Sequence, residues 1–271
     1  MRGVGFGIFV RGLLLLLLFA GGSLDAQTNA SQGPLGLTLD ALLERLELNM
    51  RDYDASVPNL YCSEHMRSQM GSQSMSVVRV TESTFRLRRH DGPDAAGRLE
   101  ESRVVNRVDG RAIQSDAQVW EPALLYGAFG DGLKIVSVEG KECFRYKLKT
   151  RHRPDRYVVE FSSLRAEDRG PRCPAFQKDS GRVFVDPESL HVVRIEQRFP
   201  DHLLTAGTMG VWKWSTDFAP VTLLGRQFWL PKTMKANAFS DNHLQEWSFD
   251  AVYSNYHLFH ADVTILPAGS K

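Results

Sequence analysis

Gly181-Arg182-Val183-Phe184-Val185-Asp186-Pro187-Glu188-Ser189, followed after Leu190-His191 by Val192-Val193-Arg194-Ile195-Glu196-Gln197-Arg198-Phe199, decides the fold of this chain. The first apolar run stops at Asp-Pro, a turn initiator in which proline supplies the fixed φ of the second turn position. Beyond the turn, Val193, Ile195, Gln197 and Phe199 share one face, while Val192, Arg194, Glu196 and Arg198 share the other. A period of two, with one largely apolar and one charged face, marks an antiparallel strand half covered by a core.

The same pattern extends in both directions. Phe144, Tyr146 and Leu148 alternate with Arg145, Lys147 and Lys149, and Tyr157, Val159 and Phe161 alternate with Val158 and Glu160. Downstream, Trp212, Trp214 and Phe218 alternate with Lys213, Ser215 and Asp217. Two long runs follow, 228–238 and 245–259, the second with Trp247, Phe249, Ala251 and Tyr253 on one face. Towards the N-terminus, Phe85 and Leu87 alternate with Arg86 and Arg88, and Val104, Asn106 and Val108 with Arg103, Val105 and Arg107 before an Asp109-Gly110 turn. Ile135–Val138 reads as a further strand entering a tight turn at Glu139-Gly140. Long strands in this number, joined by hairpin turns, predict a mainly β (α+β) fold. It consists of a single large curved antiparallel sheet, a half-open β-barrel, because flat sheets of that size curl or split.

Two segments carry helical spacing instead. Leu39, Leu42, Leu43, Leu46, Met50 and Tyr53 form one face of an amphipathic helix over 39–53, with Thr38 as N-cap and Pro58 forcing the exit. Val119, Trp120, Leu124, Leu125 and Phe129 predict a second short helix over 119–130. Both are expected to cover the concave face of the sheet.

The N-terminus reads as a secretory leader. Arg2 and Arg11 precede a charge-free apolar stretch of nine residues, Gly12–Ala20. A spanning helix needs about 20 apolar residues, so residues 1–26 are expected to be a signal peptide, cleaved after Ala26 or alternatively after Gly22. Residues 27–37 then form a flexible leader and 38–271 a single antiparallel-sheet domain, with no transmembrane span in the mature form. The expected location is the periplasm or the extracellular space. Lys plus Arg is 33 and Asp plus Glu is 32, a balance that argues against nucleic acid as a partner.

In an exported chain, three cysteines suggest one disulfide and one free thiol. Three pairings exist for Cys62, Cys143 and Cys173. The hairpin reading favours Cys143–Cys173: a turn near 151–155 brings residue 162 roughly opposite Cys143, and the loop leaving Leu164 carries Cys173. Cys62 is then expected to be a buried free thiol.

The sequence offers few candidates for chemistry. The sequence contains no His-Glu-x-x-His, Gly-x-Ser-x-Gly, Walker A or dinucleotide-binding motif. Cys62-x-x-His65 and His257-x-x-His260 have odd spacing, which on a strand points the pair to opposite faces, so no metal site and no cofactor are expected. Arg86, Arg88, Arg103, Arg107, Arg145, Lys147, Arg194 and Arg198 fall on polar strand faces. Acidic neighbours such as Glu82, Glu160 and Glu196 make cross-strand charge pairing their expected role over a patch for anionic headgroups.

The richest feature is aromatic. Trp120, Trp212, Trp214, Phe218, Phe228, Trp229, Trp247, Phe249 and Tyr253 make up a sheet core or, where helical cover is incomplete, the wall of an apolar cavity. Val57–Cys62 resembles the opening of a group of exported bacterial proteins. The 181–196 hairpin and Phe228-Trp229-Leu230-Pro231-Lys232 are similar to segments of the lipoprotein-carrier superfamily of LolA, LolB and RseB. That resemblance implies an unclosed antiparallel barrel capped by helices, binding acyl chains or lipoproteins. The resulting expectation is an exported, non-enzymatic cell-envelope protein with a lipid, acyl chain or lipoprotein in its half-barrel. An envelope protein–protein interaction module without a small ligand is the alternative, and a hydrolase with a dispersed site ranks third.

Overall fold

The computed structural model describes residues 36–72, 75–89, 99–113, 129, 133–149, 155–173, 178–205, 208–240 and 245–259. The expected signal peptide, Trp120, and the 119–130 helix apart from Phe129 lie outside the described residues.

Helix α1 spans Leu39–Ser56. Thr38 Oγ1 accepts the Ala41 N–H at 3.3 Å, and Leu42, Leu43, Leu46, Met50 and Tyr53 form its buried stripe. Val57 is extended (φ −60°, ψ 124°), the conformation a following proline demands. Strands follow: β1 (Leu60–Ser72), β2 (Met75–Arg89), β3 (Leu99–Val108) and β4 (Arg111–Ala112). After a helical segment come β5 (Phe144–Lys149), β6 (Tyr157–Ser163), β7 (Ser180–Val185), β8 (Val192–Thr205), β9 (Thr208–Leu223), β10 (Arg226–Ser240) and β11 (Gln245–Leu258).

All eleven form one antiparallel sheet in the order β4-β3-β2-β1-β11-β10-β9-β8-β7-β6-β5. Every neighbour is a chain neighbour except β1 and β11, where the first long strand pairs with the last along Leu60↔Leu258 to Ser72↔Gln245. The sheet is curved and open, with β4 and β5 as its edges. Bulges at Tyr61/Ser63 and Pro231/Thr233 interrupt the ladders, and such extra residues bend a strand and add twist. The predicted Asp109-Gly110 turn is present with both residues at positive φ (49° and 78°), the geometry that matches the strand twist of a two-residue hairpin.

Residues 135–138 correct the sequence reading. Leu133–Val136 is a 3-10 turn and Val138–Lys141 a short helix, α2, with Ser137 Oγ accepting the Gly140 N–H at 3.3 Å. Leu133, Ile135 and Val136 are all buried, which strand alternation cannot achieve. Gly140 lets α2 close onto this turn, since a Cβ there would stand 2.2 Å from the Ile135 carbonyl oxygen. The 3-10 turn packs against α1, and Lys141 Nζ reaches Glu47 at 2.7 Å.

Gly181 is a second close approach. It pairs with Phe161, whose ring lies across it: an added Cβ would meet ring atom Cζ at 2.6 Å and the Glu196 carbonyl oxygen at 1.9 Å. Gly181→Ala is expected to cost about 1–3 kcal/mol, the usual scale of overpacking, measured as a lower urea midpoint at unchanged m-value.

Candidate functional site

The inner face divides into a sealed end and a more open end. At the α1 end, Met50 and Tyr53 face Val192, Phe218 and Trp229, and the remaining gap holds about 30 Å³, room for roughly one water. Asn49 Nδ2 donates to the Leu190 carbonyl at 2.8 Å, and Arg226 clamps both oxygens of Asp52 at 2.7 and 2.8 Å. His191 stacks on Trp229 at 5.4 Å, and burial pushes its pKa below the ordinary histidine value. Helix, turn and sheet are therefore packed together at this end, with no ligand-sized space between the residues described.

At the other end of β8 and β9 the aromatic residues are less covered. Phe199, Trp212 and Trp214 are half-buried, as is Met70 at the far end of β1. Trp212 lies parallel to Phe249 at 6.1 Å, Phe199 meets Trp214 edge-on at 5.6 Å, and Trp214 Nε1 donates to Gln197 Oε1. The buried inward positions around this shelf mix small residues, Ser68, Ala236, Ala238 and Ala251, with the large Trp247 and Phe249. The other aromatic candidates are spread along the interior. Phe218 and Phe228 belong to the α1 end, whereas Trp247, Phe249 and Tyr253 run along β11 at 8%, 1% and 3% exposure. The structure thus brings Trp212, Trp214 and Phe249 together, while Phe218, Phe228 and Tyr253 fill other parts of the same continuous core.

Sequence reasoning placed Arg103 on a polar face; the structure places it in the core. Arg103 and Glu64 form a two-pronged ion pair with side-chain exposures of 1% and 0%. The Nη2–Oε1 bond is 2.7 Å, and Nε donates to Oε2. The reason lies in register. Phe85 and Leu87 are fully buried, Arg103 lies directly opposite Phe85, and directly opposed residues share a face. Val104 is turned outward instead, at 42% exposure. The guanidinium lies 5.2 Å from the Phe85 ring centroid, and Phe129 stacks on the same ring at 4.9 Å. The Phe129 N–H donates to Glu101 at 3.0 Å, which anchors this one described residue of 114–132 on the inner face. Tyr253 closes the cluster edge-on, and burial together with the Glu64 charge holds its phenol well above its ordinary pKa. One sequence signal pointed here: Glu64 occupies the inward phase of Leu60, Cys62, Met66 and Ser68.

The cysteines pair as the hairpin reading expected. Cys143 and Cys173 form a disulfide, and Cys62 is a free, buried thiol. Register puts Phe144 opposite Ser163, two residues along from the expected alignment but with the same phase. Burial, then the Glu64 charge, pushes the Cys62 thiol up to about 12. Cys62 is therefore expected to resist a maleimide in the native protein at pH 8 and to react fully in urea, read by mass spectrometry; rapid native labelling would show that the interior opens.

His65 is exposed where Cys62 is buried, as the odd spacing requires, and His257 stacks on Tyr61 at 5.2 Å. His260 lies outside the described residues. Among the described residues no group of three or more His, Cys, Asp or Glu could hold a metal ion, and no helix is long and apolar enough to cross a membrane. The most deeply buried carboxylate among them, Glu64, is committed to Arg103. A wider concavity, an open trough of ≈ 860 Å³, lies on the opposite face of the sheet across β5–β10.

No family model matches the sequence, and no curated protein matches it. The structure is similar to solved ones, among them the following three. A domain assigned to outer membrane lipoprotein sorting, from Vibrio parahaemolyticus, has 15% identity and a TM-score of 0.36, covering 82% of this chain and 94% of its own. A LolA superfamily protein from Nitrosomonas europaea has 10% identity and a TM-score of 0.34, covering 81% and 94%. A DUF1329 family protein from Desulfovibrio piger has 13% identity and a TM-score of 0.38, covering 86% and 96%.

Proposed function

We propose that this is an exported, non-enzymatic binding protein of the cell envelope that holds an acyl chain, free or on a lipoprotein, against the inner face of its sheet. The observation that carries the reading is the half-buried shelf of Phe199, Trp212 and Trp214 at the end away from α1. Apolar surface of this kind gains roughly 25 cal/mol for each Å² taken out of water, and the alanines opposite the two tryptophans, Ala236 and Ala238, leave room for a chain to lie beside the rings. The ligand would not enter beneath α1, where the gap is only about 30 Å³. Of the two readings left open by the sequence, a filled interior and an apolar cavity wall, the proposed site uses the wall at the end away from α1. The leader read in the sequence supplies the expected compartment.

A brominated fatty acid tests the reading, because bromine quenches tryptophan on contact. Saturable quenching that falls by more than half in Trp212→Phe/Trp214→Phe is the expected result. Absence of saturable quenching, together with absence of lipid in extracts of protein purified from its own envelope, would overturn it and favour the interaction module.

A further inference from the structure

The outer face of the sheet carries an ordered pattern that neither the acyl shelf nor the core explains. Strand register aligns two neighbouring rows of outward-facing side chains across β5–β10. One row reads Lys147, Glu160, Arg182, Glu196, Ser215 and Lys235. Its charges alternate and largely satisfy one another: Arg182 lies 3.8 Å from Glu160 and 3.9 Å from Glu196, and Lys235 lies 3.4 Å from Asp250 on β11. Two residues further along each strand, the second row reads Arg145, Ser162, Ser180, Arg198, Lys213 and Asn237. It has three cations, two hydroxyls and an amide, and no carboxylate.

These two rows line the ≈ 860 Å³ trough, and the strip of backbone between them is its floor. Seven basic side chains line it against two acidic ones. Arg194 is held by Glu196 and Asp217, at 2.9 and 2.8 Å. Among the described residues Arg145, Arg198 and Lys213 have no ion-pair partner, and Lys213 approaches the Phe239 ring at 5.9 Å. Adjacent strands are about 4.8 Å apart, so the row from Arg145 to Lys213 extends roughly 19 Å. Unpaired cations set this far apart, with neutral donors between them, do not form one phosphate pocket. They form a track.

We propose that this trough binds an acidic oligosaccharide, a chain of sugars carrying carboxylate, sulfate or phosphate groups, laid across the strands. Arg145 and the Arg198/Lys213 pair would meet its anionic groups, and Ser162, Ser180 and Asn237 its hydroxyls. Two other polyanions fit less well. Single-stranded nucleic acid is gripped by aromatic rings on which bases stack, and the donor row carries none. A bilayer is flat, whereas these side chains line a concave surface. The site lies on the face opposite the tryptophan shelf and does not depend on the acyl reading.

Fluorescence anisotropy of labelled oligogalacturonate and of a heparin oligosaccharide, titrated with the purified protein, tests the proposal. Saturable, salt-sensitive binding of at least one is expected, weakened about tenfold or more in Arg198→Gln/Lys213→Gln, since each charged hydrogen bond lost is worth a kcal/mol or more. Arg79→Gln, a cation outside the trough, removes one charge from the opposite half of the sheet and should leave binding within about twofold. Three outcomes would overturn the proposal. They are no saturable binding of either probe by the wild type, equal loss in Arg79→Gln, and binding of single-stranded DNA or phosphatidylglycerol vesicles as tight as that of the sugars. Urea midpoints of the variants within a few tenths molar of wild type ensure that lost binding is not lost folding.

Discussion

Glu64→Leu, with Arg103 retained, is expected to destabilise the protein by about 3–5 kcal/mol, the largest effect of any single side-chain change considered for this chain. The substitution takes the Glu64 carboxylate away from a guanidinium at 1% exposure that lies over Phe85, the ring that Phe129 and Tyr253 also contact. The loss comes from stranding the charge more than from the bond itself. Glu64→Leu/Arg103→Met should therefore recover most of the stability, since apolar side chains of similar volume replace a buried ion pair at little cost. Urea unfolding of the three proteins measures both effects. A deficit below about 1 kcal/mol in Glu64→Leu, the value of an exposed pair, would show that solvent reaches this cluster.

Removing the disulfide is the second large effect. Cys143–Cys173 closes a loop with a sequence separation of 30, for which chain-entropy arguments give about 3–4 kcal/mol. In a chain of this size that is a fall of roughly 10 °C in Tm for Cys143→Ser/Cys173→Ser, or for the wild type in reductant. The damage should concentrate at the sheet edge. Among the described residues β5 is an edge strand, paired only with β6, and its start is held by Leu164 N–H to Cys143 O at 2.8 Å, Gly170 N–H to Glu142 O at 3.1 Å and Arg172–Glu142 at 2.6 Å. Hydrogen exchange should accelerate in β5 and β6 well before β9 and β10. An unchanged Tm in reductant would count against the bond.

These predictions differ in how far the sequence anticipated them. The disulfide was legible because a hairpin is local: the turn between β5 and β6 fixes which residues meet, and an error of two in register preserves the face. α1 was legible because its stripe repeats along one helix. The ion pair was not. Taken alone, Arg103 between Ser102 and Val104 looks like surface, and only its alignment with Phe85 turns it inward. Residues 135–138 failed for a different reason. Four residues are too few to show a period, and the burial of Leu133, Ile135 and Val136 together depends on α1 lying above them.

The charged faces show the same division. In the sequence Arg145, Lys147, Arg194 and Arg198 read as outward and basic, with Glu160 and Glu196 to neutralise them. In the structure the acids fall in one row and leave the next without any. Composition averages over both rows, whereas register separates them.

By itself the sequence determined the periodic elements: strands of period two, one amphipathic helix, the hairpin turns and the cysteine pairing that follows from one of them. These depend on residues close together in the chain, whose steric and solvation preferences act over a few positions. Tertiary structure alone decided that the first long strand pairs with the last, that the space beneath α1 is filled, that Arg103 faces Glu64, and that the unpaired cations share a row. Each of these is an alignment between segments distant in sequence, chosen by the packing of the whole sheet, and no local pattern records it.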